Sequence, residues 1–257
     1  VTPTSTGGSC VGSAQAVTVT VNPKPVMTSA NNATVCSGTS PSLALTSNMG
    51  ATYAWVAASN LDVSGESTTT QTTSTISDVL TTSTGTPETV NYTVYSTATL
   101  GGCSGDPQSV DVLVNPVPSM TSGNSDAICD GETLNFGLTA DLASSFTWVA
   151  ASNANVGGES TTNQTGATIN NTLTNSTTSA QVVSYDVYPT STVGSCQGAT
   201  QTVSVTVNPT PDANAGGIAT IDCNNTSVSL SGSSATSGVN YSWSGPGIVS
   251  GGSTATP

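Results

Sequence analysis

The chain has no Arg, no His and a single Lys, Lys24, against fourteen Asp and Glu, for a net charge of -13. Nucleic acid and anionic membrane surfaces are held by Lys and Arg that displace counterions, so this composition excludes both as partners. With no His and one Lys there is almost no base to sit beside a nucleophilic Ser, Thr or Cys, and we expect no enzyme and no catalytic residue. Charged residues of either sign make up 6% of the chain, against roughly 25% in an ordinary soluble domain. Solvation therefore falls to Ser, Thr, Asn and Gln. No apolar run approaches the ~18 residues a spanning helix needs, so no membrane insertion is expected. The opening VTPTSTGGSC has no initiator Met and neither the basic nor the apolar part of a leader, and the chain reads as a piece of something longer.

What is present is periodic. Laid over itself at a displacement of 93 residues, the chain aligns its landmarks without a gap: Trp55 on Trp148, Tyr92 on Tyr185, Cys36 on Cys129, and Cys10 on Cys103 on Cys196. VNPKP at Val21 falls on VNPVP at Val114 and VNPTP at Val207. Such self-similarity is the primary sign of a repeat architecture. Cutting at each Pro-x-Pro gives complete repeats at 26–118 and 119–211. Residues 1–25 match the C-terminal strands of a preceding repeat, and 212–257 read as the N-terminal half of a further repeat of another subtype.

Inside each repeat the apolar period is two. Val110, Val112 and Val114 share a face, as do Val203, Val205 and Val207; Val90, Tyr92 and Val94 match Val183, Tyr185 and Val187. Leu43 and Leu45 correspond to Phe136 and Leu138, and Tyr53 and Trp55 to Phe146 and Trp148. Short alternating runs separated by Ser/Thr/Gly/Asn turns, with no helical period, predict an all-β chain of tandem immunoglobulin-like β-sandwiches, with Trp55, Trp148, Tyr92 and Tyr185 in the cores. The joint prolines Pro23, Pro25, Pro116, Pro118, Pro209 and Pro211 favour short extended connections, giving an elongated rod.

Six cysteines without His and without Cys-x-x-Cys do not read as a zinc site; disulfides are the better reading. We expect Cys36 with Cys103 and Cys129 with Cys196, each closing a loop of about 67 residues worth on the order of 4 kcal/mol, and partners for Cys10 and Cys223 in the missing halves. In a simple immunoglobulin order these loops lie at opposite ends, so the pairing requires the connections to fold back; Cys36 with Cys10 is the alternative.

The remaining polar candidates are few. Glu66 and Glu159 recur at the same displacement, each within Gly-Glu-Ser, and read as solvated turn residues. Asp130 and Glu132 in CDGE are close enough to share calcium, but their counterparts, Ser37 and Thr39, are uncharged. We expect no cofactor, with calcium as the alternative to test. Alternation points Tyr95 and Tyr188 outward as candidate ligand contacts, the basis of a second reading as a carbohydrate-binding array on surface glycans.

VCSG and ICDG before a strand, YAWVAAS and FTWVAAS, VNYTVY and VSYDVY, then GCSG or SCQG and VNPKP, together resemble the PKD-like or immunoglobulin-like tandem repeats of giant secreted surface proteins of Bacteroidota. The Asp-Phe-Gly-Asp signature after the Trp is absent, which favours the immunoglobulin-like label over the PKD one. IDCNNTSVSLSGSSATSGVNYSWSGPGIV resembles a sister repeat of the same proteins, with Trp243 in the core position. The resemblance implies a secreted chain at the bacterial cell surface, exported by type IX secretion, forming the stalk of a gliding-motility or adhesion filament whose partners are its own adjacent repeats. A third reading is polymerisation by strand exchange, residues 1–25 of one molecule completing 212–257 of the next.

Overall fold

The alternating Val and Tyr of the sequence become long central strands because a residue every second position can face one buried layer. The computed structural model of the chain describes residues 1–248, 252, 253 and 255. Among them the regular structure is all β, and no helix is long and apolar enough to cross a membrane. The chain divides into two units, Val1–Pro116 and Val117–Pro257, parted inside the second Pro-x-Pro.

The first unit contains β1 (Asn32–Cys36), β2 (Leu43–Ala44), β3 (Ala51–Ala57), β4 (Val63–Ser64), β5 (Thr75–Ile76), β6 (Thr81–Thr82), β7 (Glu88–Ala98) and β8 (Gln108–Asn115). One sheet has the order β1-β8-β7-β3, with β1 parallel to β8 and the other pairs antiparallel. The facing layer is made of the short pairs β2-β5 and β4-β6, extended by a bridge between Thr39 and Leu80. Val90, Tyr92, Val94, Val110, Val112 and Val114 from the first sheet pack with Leu45, Val63, Ile76 and Leu80 from the other layer. Trp55 lies among them, 2% exposed. Its ring meets Tyr92 edge-on at 5.7 Å, a contact worth about 0.5–1.5 kcal/mol beyond the area it buries.

The second unit repeats the plan with β9 (Ser125–Cys129), β10 (Phe136–Gly137), β11 (Ser144–Ala150), β12 (Val156–Gly157), β13 (Gln164–Thr165), β14 (Thr168–Ile169), β15 (Thr174–Asn175), β16 (Gln181–Ser191) and β17 (Gln201–Asn208). Its main sheet runs β13-β11-β16-β17-β9, with β9 parallel to β17. Val183, Tyr185, Val187, Val203, Val205 and Val207 are fully buried against Leu134, Ile169 and Leu173. Trp148 is 3% exposed and meets Tyr185 edge-on at 5.9 Å.

Not every apolar pair turns fully inward. Leu43, Tyr53 and Phe136 are only partly buried and pack against the core from its margin. Residues 1–24 form no strand, only a bridge between Thr4 and Val11, and are exposed. Among the described residues of 212–257 there is one bridge, Asn214 to Ser233. Trp243 is half-buried rather than enclosed as a core plug.

Candidate functional site

The recurring polar residues were the candidates for chemistry, and they hold loops. In WVAASN the Asn60 side chain donates to the Thr89 carbonyl at 3.1 Å and accepts the Asp62 N–H at 3.0 Å. Asn153 does the same with the Val182 carbonyl and the Asn155 N–H, both at 3.0 Å. Glu66 accepts the Asn60 N–H at 3.2 Å and Glu159 the Asn153 N–H at 3.0 Å. Both carboxylates are half-buried; they pin the exit of the Trp strand and are not free turn residues.

Below this loop lies a second repeated network. Asp78 accepts the Ser67 N–H at 2.7 Å, the Ser67 hydroxyl at 2.8 Å and the Tyr92 hydroxyl at 2.9 Å. In the next repeat Asn171 takes the place of Asp78, accepting the Ser160 N–H at 3.1 Å and the Tyr185 hydroxyl at 3.0 Å while donating to the Ser160 hydroxyl at 2.8 Å. The amide and the carboxylate do one job. Burial pushes the Tyr92 phenol well above its ordinary range, reinforced by its hydrogen bond to Asp78 and the negative charge there. Burial and the charge of Glu159 raise Tyr185. A raised phenol pKa gives stability that is complete below the unfolded value, about 10, and is lost as pH climbs toward the folded one. Alkaline titration followed by circular dichroism should therefore show unfolding that sets in above about pH 10. Tyr92→Phe with Tyr185→Phe should flatten that dependence at a neutral-pH cost of about 1 kcal/mol per hydroxyl.

The CDGE carboxylates are likewise engaged. Asp130 accepts the Asn175 N–H at 2.8 Å and Glu132 the Cys129 N–H at 2.8 Å. In the first repeat the Ser37 hydroxyl accepts the Thr82 N–H at 3.1 Å, and the Thr39 hydroxyl donates to the Cys36 carbonyl at 2.6 Å. Asp130 thus replaces Ser37 as an acceptor for a backbone N–H, which accounts for a charge that does not recur. Among the described residues no cluster of three or more His, Cys, Asp or Glu is placed to hold a metal ion.

The cysteines are set apart at the two ends of each sandwich. Cys36 is level with Asn115 at the end of β8, and Cys129 with Asn208 at the end of β17, beside the segments by which the chain leaves each repeat. Cys103 and Cys196 lie in the turns that precede β8 and β17. The Cys103 thiol is 3.6 Å from the Asn22 carbonyl in the incoming segment. The side chains of Gly105 and Gly198 are absent for a reason: a Cβ at either would run into the carbonyl oxygen of Pro25 or Pro118. Cys10, Cys103, Cys129 and Cys223 are free thiols. The expected pairs Cys36 with Cys103 and Cys129 with Cys196 do not form. From the level of Asn115 back to Gln108 is seven steps of strand, about 23 Å, and a disulfide spans a Cα separation of at most about 7 Å.

Two anchoring features escaped the sequence reading. Asn48 accepts the Val26 N–H at 2.9 Å while its own N–H returns to the Val26 carbonyl; Asp141 and Ser119 repeat the exchange in the second unit, at 2.7 Å for the side-chain bond. The displacement of 93 aligns Asn48 with Asp141 and could have pointed to them, but the change of residue type hid the shared role. Of the candidate ligand contacts, Tyr95 is 48% exposed and Tyr188 half-buried, standing opposite Ala54 and Thr147 on the neighbouring strands.

Among solved structures, the insect immune protein hemolin aligns at 12% identity and TM-score 0.32, over 75% of this chain and 48% of that one. Sidekick-1 immunoglobulin domains 1–5 align at 11% identity and TM-score 0.31, over 82% and 46%. Mouse cadherin-23 EC22-24 aligns at 11% identity and TM-score 0.30, over 74% and 68%. No curated protein matches. Against known families, residues 33–118 and 126–211 each match the PKD-like domain, although the absence of the Asp-Phe-Gly-Asp signature had pointed away from that label. With both repeats matched, most of its length lies within this family: the chain belongs to the PKD-like domain proteins, carrying two copies in tandem.

Proposed function

We propose that the chain is a structural repeat segment, the stalk of a long secreted filament or adhesin at a bacterial cell surface, of the kind Bacteroidota use for gliding or attachment. The observation that carries this reading is the use of the recurring polar residues: Asn60, Glu66, Asp78 and Asp130, with their counterparts, hold turns and strand ends. What recurs at 93 residues is a scaffold with its joints. Its partners on this reading are adjacent repeats of the same chain, and type IX secretion would be its route out.

Replacing residues 26–211 in the parent protein by two unrelated β-sandwiches of equal length tests this directly. Surface attachment should persist, and deletion of 26–211 should shorten the filament while keeping its distal binding. Loss of attachment on replacement, with filament length retained, would favour the second reading, in which Tyr95 presents a ring to surface glycans. On that reading a glycan array probed with this chain gives signal that Tyr95→Ala plus Tyr188→Ala abolishes.

A further inference from the structure

We propose that residues 1–22 are a donor hairpin whose turn is already folded and whose open strand, 16–22, fits the last-strand slot of another PKD-like sandwich that lacks its own. The inference goes beyond the stalk reading and does not rest on it. VTPTSTGGSCVGSAQAVTVTVNPKP, residues 1–25, is spelled almost as VYPTSTVGSCQGATQTVSVTVNPTP, residues 187–211, two displacements of 93 further on. The two turns also share their backbone. Thr4 bridges Val11 as Thr190 bridges Gln197. The Ser5 N–H donates to the Cys10 carbonyl at 3.0 Å and the Ser191 N–H to that of Cys196 at 2.9 Å, while the Gly12 and Gly198 N–H groups donate to Pro3 and Pro189, both at 2.8 Å. Ser9 and Ser195 have the same left-handed φ, 52° and 53°. The Gln15 N–H then reaches the Val1 carbonyl at 2.9 Å, where β17 and β16 pair Gln201 with Val187.

Beyond that rung the two segments differ in their neighbours. In β17 the following residues lie between β16, antiparallel, and β9, parallel, and Val203, Val205 and Val207 are fully buried. Val17, Val19 and Val21 belong to no strand and are 70%, 77% and 85% exposed. An apolar residue at every second position suits one buried face of a sheet, and water disfavours it. Native proteins guard open strands with charge or Pro, yet residues 11–22 contain no Asp, Glu, Lys, Arg or Pro. The register of β17 fixes the fit: Val17 would stand opposite the equivalent of Tyr185, Val19 opposite that of Val183, and Asn22 level with that of Cys129. Main-chain bonds to both neighbours hold such a strand, and its alternate side chains make it specific. The host must therefore offer a β16-like and a β9-like strand with an open slot between them. Residues 119–186 carry β9 and most of the paired length of β16. The described residues of 212–257 hold one bridge and no strand, so the host is a repeat of the 119–211 kind.

Amide hydrogen exchange of residues 16–22 in the intact 257-residue chain tests this. Alone, with β8 and β17 filling its own slots, the chain should exchange these amides at open-chain rates. Mixed with a second chain deleted of residues 1–22 and 187–211, which has a slot and no donor, they should slow by about 100-fold or more. Val17→Asp with Val19→Asp in the donor should abolish that protection and leave the donor's own melting unchanged, because both side chains are exposed. A second arm removes any dependence on the solubility of the deleted chain: residues 119–186 are fused ahead of Val1 of the intact chain, and 16–22 should then be protected like 202–208. Open-chain exchange of 16–22 in the fused chain would overturn the proposal. So would protection in the mixture that survives the two Asp substitutions, the mark of unspecific adhesion.

Discussion

Trp55→Ala and Trp148→Ala will each destabilise their own repeat by about 3–5 kcal/mol, the usual cost of emptying a buried indole site. Both rings are sealed, at 2% and 3% exposure, and each loses its edge contact with a buried Tyr. For a domain of this size, unfolded in urea with a slope of about 1 kcal/mol per molar, the affected repeat should melt out as a separate early transition. Circular dichroism against urea would record it. The Phe variants distinguish the two sites. Trp55 donates its indole N–H to the Thr73 carbonyl and hydroxyl, both at 3.1 Å. The residue 93 positions on is Gly166, which has no hydroxyl, and the buried Trp148 N–H has no partner. Trp55→Phe strands no donor but gives up those bonds; Trp148→Phe removes a buried polar group that was uncompensated. The first should therefore cost more than the second by about 1–3 kcal/mol. Equal costs would show that the two sites are energetically alike.

Gly65→Ala and Gly158→Ala should each cost on the order of 3 kcal/mol. These glycines have φ of 95° and 91°, the left-handed region, which alone costs an L-residue about 1–2 kcal/mol. A Cβ there would also overlap the carbonyl oxygen of Val79 or Thr172, backbone that cannot swing aside as a side chain could. Gly131→Ala is the control: its φ is 80°, yet nothing lies within reach of the added methyl, so only the conformational part of the cost remains. If all three variants melt alike, the close approach contributes nothing.

Repetition made the strands readable, because a two-residue period seen twice, as in Val110/Val112/Val114 and Val203/Val205/Val207, is hard to produce except by a half-buried strand. It did not reveal what individual polar residues do. Glu66 and Glu159 sit in Gly-Glu-Ser, a turn by composition, and only the fold brings them back to the Asn60 and Asn153 amides six residues earlier in the chain. Asp78 and Asn171 differ in charge, so alignment alone gave no reason to see them as one part.

The sequence by itself determined the all-β class, the unit length and the core aromatics, since each follows from local period and from the repeat. Tertiary structure alone decided the cysteines. Which thiols can meet depends on the end of the sandwich at which each lies, and that depends on β1 pairing in parallel with β8, and β9 with β17. Parallel pairing across most of a repeat sets Cys36 at the exit and leaves Cys103 at the entry, a separation of strand length that no count of residues between cysteines can express.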